Sequence, residues 1–499
     1  MKKIIGIIVM ALLAFSLFAG GTKEAAAETS VARDNLVIAV STEPTTLHPA
    51  TTNVVYDELV LKMLYGTLMR YDEDMNVVPY LAEKFEKIDD THYKFTLYAD
   101  MKFSDGTPIT SADCAASIQA IHDSKVAKSK ASWYQETEII DDRTFVVVLN
   151  APTANFMDGL ISKCYIAPKA LLEGDNDFNS NPVGSGPYML ESWSQGQSLT
   201  LVANPYFAVP DRVAKIKTIN YRIIPEGVTR TISLEKGEVD FIYDVQSSDL
   251  EELSAEKSVY VYSAPNCTPV TLCFNLDKMP NENLRKAIAA AINRDNIVTI
   301  ACGGYASPVA SSYALGVLGG TDAEAITYDV EKAKEYLKAS GLSGNDLKLD
   351  VVVKETAHQL AMESAQADLK AIGIDLSIRV VDNATYTSLI QSGDYYMMVG
   401  KASIYDLVTS MSSGILSNGS YNQGHIKDAW IDEMVAKAAT TMDDPARAAI
   451  LEEIVTYLNK NCLRSGLYQM MNVRAMSANL GGFETNMLGY DFFNMLYWK

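Results

Sequence analysis

From Leu347 to Val399 the apolar residues alternate between two repeats, and this alternation limits the fold more than any other feature of the chain. Leu347, Leu349, Val351 and Val353 recur at every second residue, as do Ile374, Leu376, Ile378 and Val380, and Tyr396 to Val399 forms a third apolar run. Between them, Leu360 to Ile372 and Ala384 to Gln391 carry helical spacing. A period of two sends side chains to alternate faces of a strand, whereas a period near 3.6 gathers them on one helix face. The order β-α-β-α-β predicts a sheet covered by helices.

The flanking sequence extends this pattern. Asn283 to Ala301, with Leu284, Ile288, Ile292 and Ile297, reads as one amphipathic helix capped by Asn283 and stopped by Gly303-Gly304. Further helices are predicted at Asp329 to Gly341, Ala429 to Met442 and Pro445 to Asn461, the last with Asp444 as its cap. Nearer the N-terminus, a helix from Tyr56 to Met69, a strand through Phe95 and Leu97, and a hairpin at Ile139 to Phe145 make an α+β unit. The strand Leu36 to Val40 ends in Ser41-Thr42-Glu43-Pro44, side chains suited to meeting a ligand. Val183-Gly184-Ser185-Gly186-Pro187-Tyr188 is a composition break that predicts a crossing between domains, its glycines supplying backbone angles closed to other residues.

A chain of 499 residues with 48% hydrophobic residues can bury two or three cores. Lys2 and Lys3 precede an apolar run from Ile4 to Ala19, and Ala25-Ala26-Ala27 offers a cleavage site, so residues 1–27 read as a secretory signal peptide. Cleavage sends the protein out of the cytoplasm; retention of the signal would tether it to the membrane. No Cys follows the apolar run, so thioether lipid attachment is not predicted there. The net charge of −20 repels a phosphate backbone and argues against nucleic acid as a partner. The six cysteines lack a Cys-x-x-Cys pair and predict no particular disulfide. Five histidines at 48, 92, 122, 358 and 425 show no metal-ligand spacing, and no Gly-x-Ser-x-Gly elbow occurs. These absences predict neither an enzyme nor a bound cofactor or metal.

Phe103-Ser104-Asp105-Gly106-Thr107-Pro108-Ile109-Thr110-Ser111-Ala112-Asp113 reads on its own as a turn followed by a capped helix. Together with Pro79 to Phe85, Val183 to Tyr188, Asn204-Pro205-Tyr206-Phe207, Gly237-Glu238-Val239-Asp240, Phe274-Asn275, Leu284 to Arg294, Tyr328 to Ala333 and Leu369 to Ile374, in that order, it resembles the family 5 extracellular solute-binding proteins, receptors for peptides, dipeptides and nickel in ABC importers. The resemblance implies an α/β, two-lobed periplasmic-binding-protein-like fold (type II, cluster C) with an inserted α+β subdomain in the N-terminal lobe. By similarity, residues 28–55, 183–263 and 480–499 form the base of lobe one, 56–182 its insertion, and 264–479 lobe two, with crossings near Ala264 and Asn479.

The resemblance also implies a function. The protein would capture a solute, foremost a peptide, between the lobes and deliver it as a monomer to ABC permease subunits. An oligosaccharide or metal chelate is the alternative cargo, and a membrane receptor the alternative partner. Peptide binders of this family hold an α-amino group with the Asp of a Trp-x-x-Asp segment. Here the stretch reads Gly400-Lys401-Ala402-Ser403-Ile404-Tyr405-Asp406, without the Trp. Asp406 is thus a ligand candidate and equally a cap for the helix that follows, and Lys401 a point charge for a carboxylate. Ser41, Thr42, Glu43, Trp133, Tyr134, Asn275, Tyr405 and Tyr421 complete the candidate ligand-binding residues, Trp133 and Tyr134 reading equally as core.

Overall fold

Two long antiparallel strands, Val259–Phe274 and Arg464–Ser477, run through both halves of one mixed sheet. The computed structural model describes residues 33–52, 54–401 and 406–499; the proposed signal peptide lies outside them. Val259 to Pro265 pairs with Ser477 to Met471, the register then breaks, and pairing resumes at Pro269 opposite Gln469. Pro265 and Pro269 have no N–H to donate, so the ladder is weakest where the register shifts.

On one side of the break the sheet continues through Phe241–Ile242, Asn35–Val40, Thr218–Ile223, Ser198–Ala203 and Tyr188–Ser194. On the other it continues through Met397–Lys401, Lys348–Val353 and Asp375–Val380, with Ala306–Pro308 paired to the long strand. The three strands read from alternation fall in this second half. Lys348–Val353 lies parallel to both Asp375–Val380 and Met397–Lys401, and the helices Thr356–Ala371 and Asn383–Ser392 make the crossovers. Val270, Leu272, Ile288, Val351, Ala361 and Leu467 share its core. Leu36, Ile38, Leu61, Tyr188, Leu201 and Phe241 form the core of the first half.

A separate four-stranded antiparallel sheet (Ala82–Lys87, His92–Leu97, Thr144–Leu149, Tyr134–Ile139) has a core of its own around Phe95, Phe145 and Ile118. The hairpin read at Ile139 to Phe145 joins two of its strands. The turn before helix Ser111–Asp123 is built as its side chains dictate. Asp105 Oδ1 accepts the Thr107 N–H at 2.9 Å, and Gly106 takes φ 86°, which a Cβ disfavours. Thr110 then forms a capping box with Asp113.

Several boundaries differ from the sequence reading. The stretch Asn283 to Ala301 is two helices, Glu282–Ala291 and Arg294–Cys302, capped by Asn281 and Asn293. Asn293 accepts the backbone N–H groups of Asp295 and Asn296, so an unbroken apolar stripe hides a second start. Asp443, rather than Asp444, caps the helix containing Pro445. Helix Val55–Leu64 stops before Met69, because Tyr65 turns extended and the chain enters strand Met69–Tyr71.

Gly184 and Gly186 serve close approach rather than unusual backbone angles. A Cβ on Gly184 would stand 2.0 Å from the Leu64 carbonyl oxygen, and one on Gly186 2.5 Å from that of Met63. All six cysteines are free thiols, and no helix among the described residues is long and apolar enough to cross a membrane.

Candidate ligand cleft

Strand Asn35–Val40 lies parallel to Phe241–Ile242, so the two chains leave the sheet side by side. This brings Ser41 to Asp244. Ser41 Oγ donates to Asp244 Oδ2 at 2.7 Å, and the Tyr56 hydroxyl donates to the same oxygen at 2.8 Å. Asp244 holds φ 54°, and Arg230 Nη2 donates to its carbonyl at 3.0 Å. Asp244 and Leu250 from this half, with Cys302, Ala357 and Tyr468 from the other, line a cavity of about 310 Å³. Ligands favour such gaps, where a few polar groups sit among apolar walls.

A larger cavity of about 580 Å³ lies between the inserted subdomain and helix Leu407–Gly414. Lys130, Trp133, Asn155 and Asp158 line one wall, Thr409 and Ser413 the other. Asp406 caps the helix: its Oδ2 accepts Thr409 N at 2.8 Å and Thr409 Oγ1 at 2.7 Å. The same oxygen accepts the Asn155 Nδ2 amide at 2.8 Å, so the cap also joins the two walls. Asp158 accepts a hydrogen bond from the Tyr71 hydroxyl. Burial pushes its carboxyl well above the usual range, the Asp406 charge adds to this, and Arg447 opposes it.

Charged side chains continue inward from this cavity. Lys130 is lowered by burial and by Lys163, against Glu58 and Asp406. Glu58 accepts from Lys163 and Tyr165, and its Oε2 stands 3.6 Å from Lys62 Nζ. Lys62 lies 3.5 Å from the Tyr490 ring centroid, and burial brings its ammonium down to about 8. Beyond it, Asp491 accepts from Arg474 Nε at 2.8 Å and from the Tyr243 hydroxyl. No group of three His, Cys, Asp or Glu among the described residues could hold a metal ion.

The sequence candidates separate accordingly. Trp133 and Asp406 meet at the larger cavity, Trp133 on its wall and Asp406 through Asn155, whereas Ser41 adjoins the smaller. Thr42 is exposed, and Glu43 Oε2 accepts Trp193 Nε1 and Gly196 N, which anchors its loop. Trp133 Nε1 donates to the Lys130 carbonyl at 2.8 Å, and Tyr134 is core, its ring edge-on to Trp133. Asn275 is buried and donates to the Gly393 and Tyr395 carbonyls. Lys401 pairs with Glu355 at 2.6 Å, Tyr421 is exposed, and Tyr405 lies outside the described residues. Asp244, Tyr56, Asn155, Asp158 and Lys130 went unread. Tyr56 opens a helix read from periodicity and Asp244 follows the Gly237 to Asp240 motif, but neither signal marks a cleft residue, and only the fold assembles the five.

Comparison with known proteins identifies the fold and the family. Over 478 residues the chain is 26% identical to the glutathione-binding protein GsiB of Salmonella choleraesuis (strain SC-B67), covering 92% of this chain and 93% of that protein. It is 25% identical over 495 residues to the probable D,D-dipeptide-binding periplasmic protein DdpA of Escherichia coli (strain K12), covering 94% and 95%. The crystal structure of the ABC transporter substrate-binding protein CtaP from Listeria monocytogenes superposes with a TM-score of 0.83 at 23% identity, over 94% of this chain and 99% of that one. The fold is therefore the two-lobed α/β fold of periplasmic binding proteins, with the four-stranded unit as its insertion. The sequence model of the bacterial extracellular solute-binding proteins, family 5 Middle, matches residues 76–423, well over half the chain. This protein belongs to the family 5 bacterial extracellular solute-binding proteins, which are receptors for solutes and not enzymes.

Proposed function

We propose that the protein captures a peptide between its lobes and delivers it to the permease subunits of an ABC importer. The observation that carries this is the cleft itself. Two cavities lie where the halves of the sheet and the inserted subdomain face one another, and both walls contribute polar groups. The names of the relatives, a glutathione-binding protein and a probable D,D-dipeptide-binding protein, support a short peptide-like cargo. Trp133 is only 5% exposed and packs edge-on with Tyr134 and Phe156, so little of its ring is open for stacking on a sugar, which favours a peptide over an oligosaccharide.

The lobes are assigned as residues 28–55, 183–263 and 480–499 with the insertion 56–182, against 264–479, and residues 1–27 as the export signal. The register break at Pro265 to Pro269 supports a hinge close to the first crossing. A ligand closes such jaws only through its greater affinity for the closed form.

Thermal shift and calorimetry with pools of di- to pentapeptides test the assignment. A bound peptide raises Tm with concentration as mass action requires, whereas silence across every pool removes peptides as the cargo.

A further inference from the structure

Two arginines that line neither cavity, Arg70 and Arg212, meet over one aromatic ring. Arg70 belongs to strand Met69–Tyr71, and Arg212 to the loop before strand Thr218–Ile223. Their Cζ atoms stand 5.4 Å and 4.9 Å from the Phe492 ring centroid, a cation–π contact for each. Glu484 supplies one carboxylate, its Oε2 accepting Arg212 Nη1 at 2.6 Å. Arg70 Nη1 donates to the Tyr71 carbonyl at 3.2 Å, and no carboxylate among the described residues stands in ion-pair contact with Arg70. Asp72, two residues on, turns its oxygens to the amides of Asp74 and Asn76. Two guanidinium groups thus face one acid. Burial and the Arg212 charge hold Arg70 below its ordinary range.

The unused donors lie on one edge. Arg212 is 7% exposed, and its Nε and Nη2 are both buried without a hydrogen-bond partner. These two nitrogens form the side-on edge of the guanidinium, the fork that takes two oxygens of an oxyanion at once. Glu484 sits on Nη1 and leaves the fork open. Arg70, Arg230, Arg447 and Arg464 each leave Nε alone in this state, so among the described residues the double vacancy belongs to Arg212. Asn494 Nδ2 donates to the Arg212 carbonyl at 2.6 Å and fixes the backbone behind it. A buried charged donor without an acceptor is costly, so the pair favours a further anion. Arg70, Glu484 and Phe492 are half-buried, and through them the cluster reaches solvent.

We infer that Arg212 and Arg70 bind a small tetrahedral oxyanion, phosphate or sulfate, the Arg212 fork taking two oxygens and Arg70 Nε a third. The anion ties strand Met69–Tyr71 and the Arg212 loop to the C-terminal segment that carries Glu484 and Phe492, and the site does not depend on the cargo. Thermal shift and calorimetry on the purified full chain, in a zwitterionic buffer at fixed ionic strength, would titrate sodium phosphate and sodium sulfate against sodium chloride for wild type, R212K, R70Q and E484Q. In wild type Tm should rise with either oxyanion and saturate as a site fills, whereas exclusion of these salts from the protein surface raises it without saturation. Apparent affinity should fall at least tenfold in R212K, which keeps the charge and loses the fork, and in R70Q, while E484Q, which removes the competing carboxylate, should tighten binding. No saturable difference from chloride in wild type overturns the site, whether or not the variants fold, and leaves the fork to water. Saturable binding of unchanged affinity in both R212K and R70Q overturns it as well, as an adventitious ion only.

Discussion

Asn155 of the inserted subdomain donates its amide to the Asp406 carboxylate and to Thr409 Oγ1, both at 2.8 Å. The adjacent Ala154 N–H donates to the Ala439 carbonyl at 3.1 Å, and Arg447 Nη1 donates to the Ala154 carbonyl at 3.1 Å. Two residues thus concentrate the hydrogen bonds between one wall of the larger cavity and the helices opposite.

N155A should weaken solute binding about 3- to 10-fold, since each hydrogen bond contributes about 0.5–1.5 kcal/mol net, and should shift the unliganded protein toward an expanded form. Calorimetry and small-angle scattering check this; unchanged affinity with an unchanged scattering profile would show that the contact does not govern closure.

G184A should destabilise the fold toward the upper end of the usual overpacking cost, about 1–3 kcal/mol. The added Cβ would meet the Leu64 carbonyl 2.0 Å away, and backbone yields less readily than a side chain tip. Urea unfolding measures it: a midpoint equal to wild type would mean that the segment shifts freely.

T110A removes the cap of helix Ser111–Asp123 and should cost about 1 kcal/mol, with D113A reproducing much of the loss because the two side chains form one capping box. Paired unfolding curves, including the double variant, would show sub-additive losses if the box acts as a unit.

Lys62 sets a pH dependence with a definite sign. Its ammonium titrates near 10.5 when unfolded and at about 8 when folded, mainly through burial. Between these values the unfolded chain binds more protons, so this group makes stability rise with pH by up to about 1.4 kcal/mol per unit; below pH 8 its penalty is fully present. K62M should lack that slope. Identical stability profiles for wild type and K62M from pH 8 to 10.5 would refute the assignment.

Local order was legible because it depends on neighbours in the chain. Alternation located the strands Lys348–Val353, Asp375–Val380 and Met397–Lys401 to within a residue or two at most ends, and Asp329 and Gly341 bracket their helix as read. The unbroken stripe from Leu284 to Ile297 misled, since periodicity does not register the cap at Asn293.

The family motifs, too, were readable, and the fold shows what they do. Ser104 N donates to the Gly184 carbonyl at 2.9 Å, and Gly184 N donates to Ser104 Oγ at 3.1 Å, so two segments 80 residues apart knit one junction. Sequence by itself thus determined most of the secondary structure and the family, because short-range sterics, hydrogen bonding and hydrophobic period are written along the chain. Tertiary structure alone decided which side chains line the two cavities. Asn155 and Asp406, or Ser41 and Asp244, become partners only when the sheet and its insertion bring distant loops together, and whether a carboxylate caps a helix, joins two walls or does both depends on what folding packs beside it.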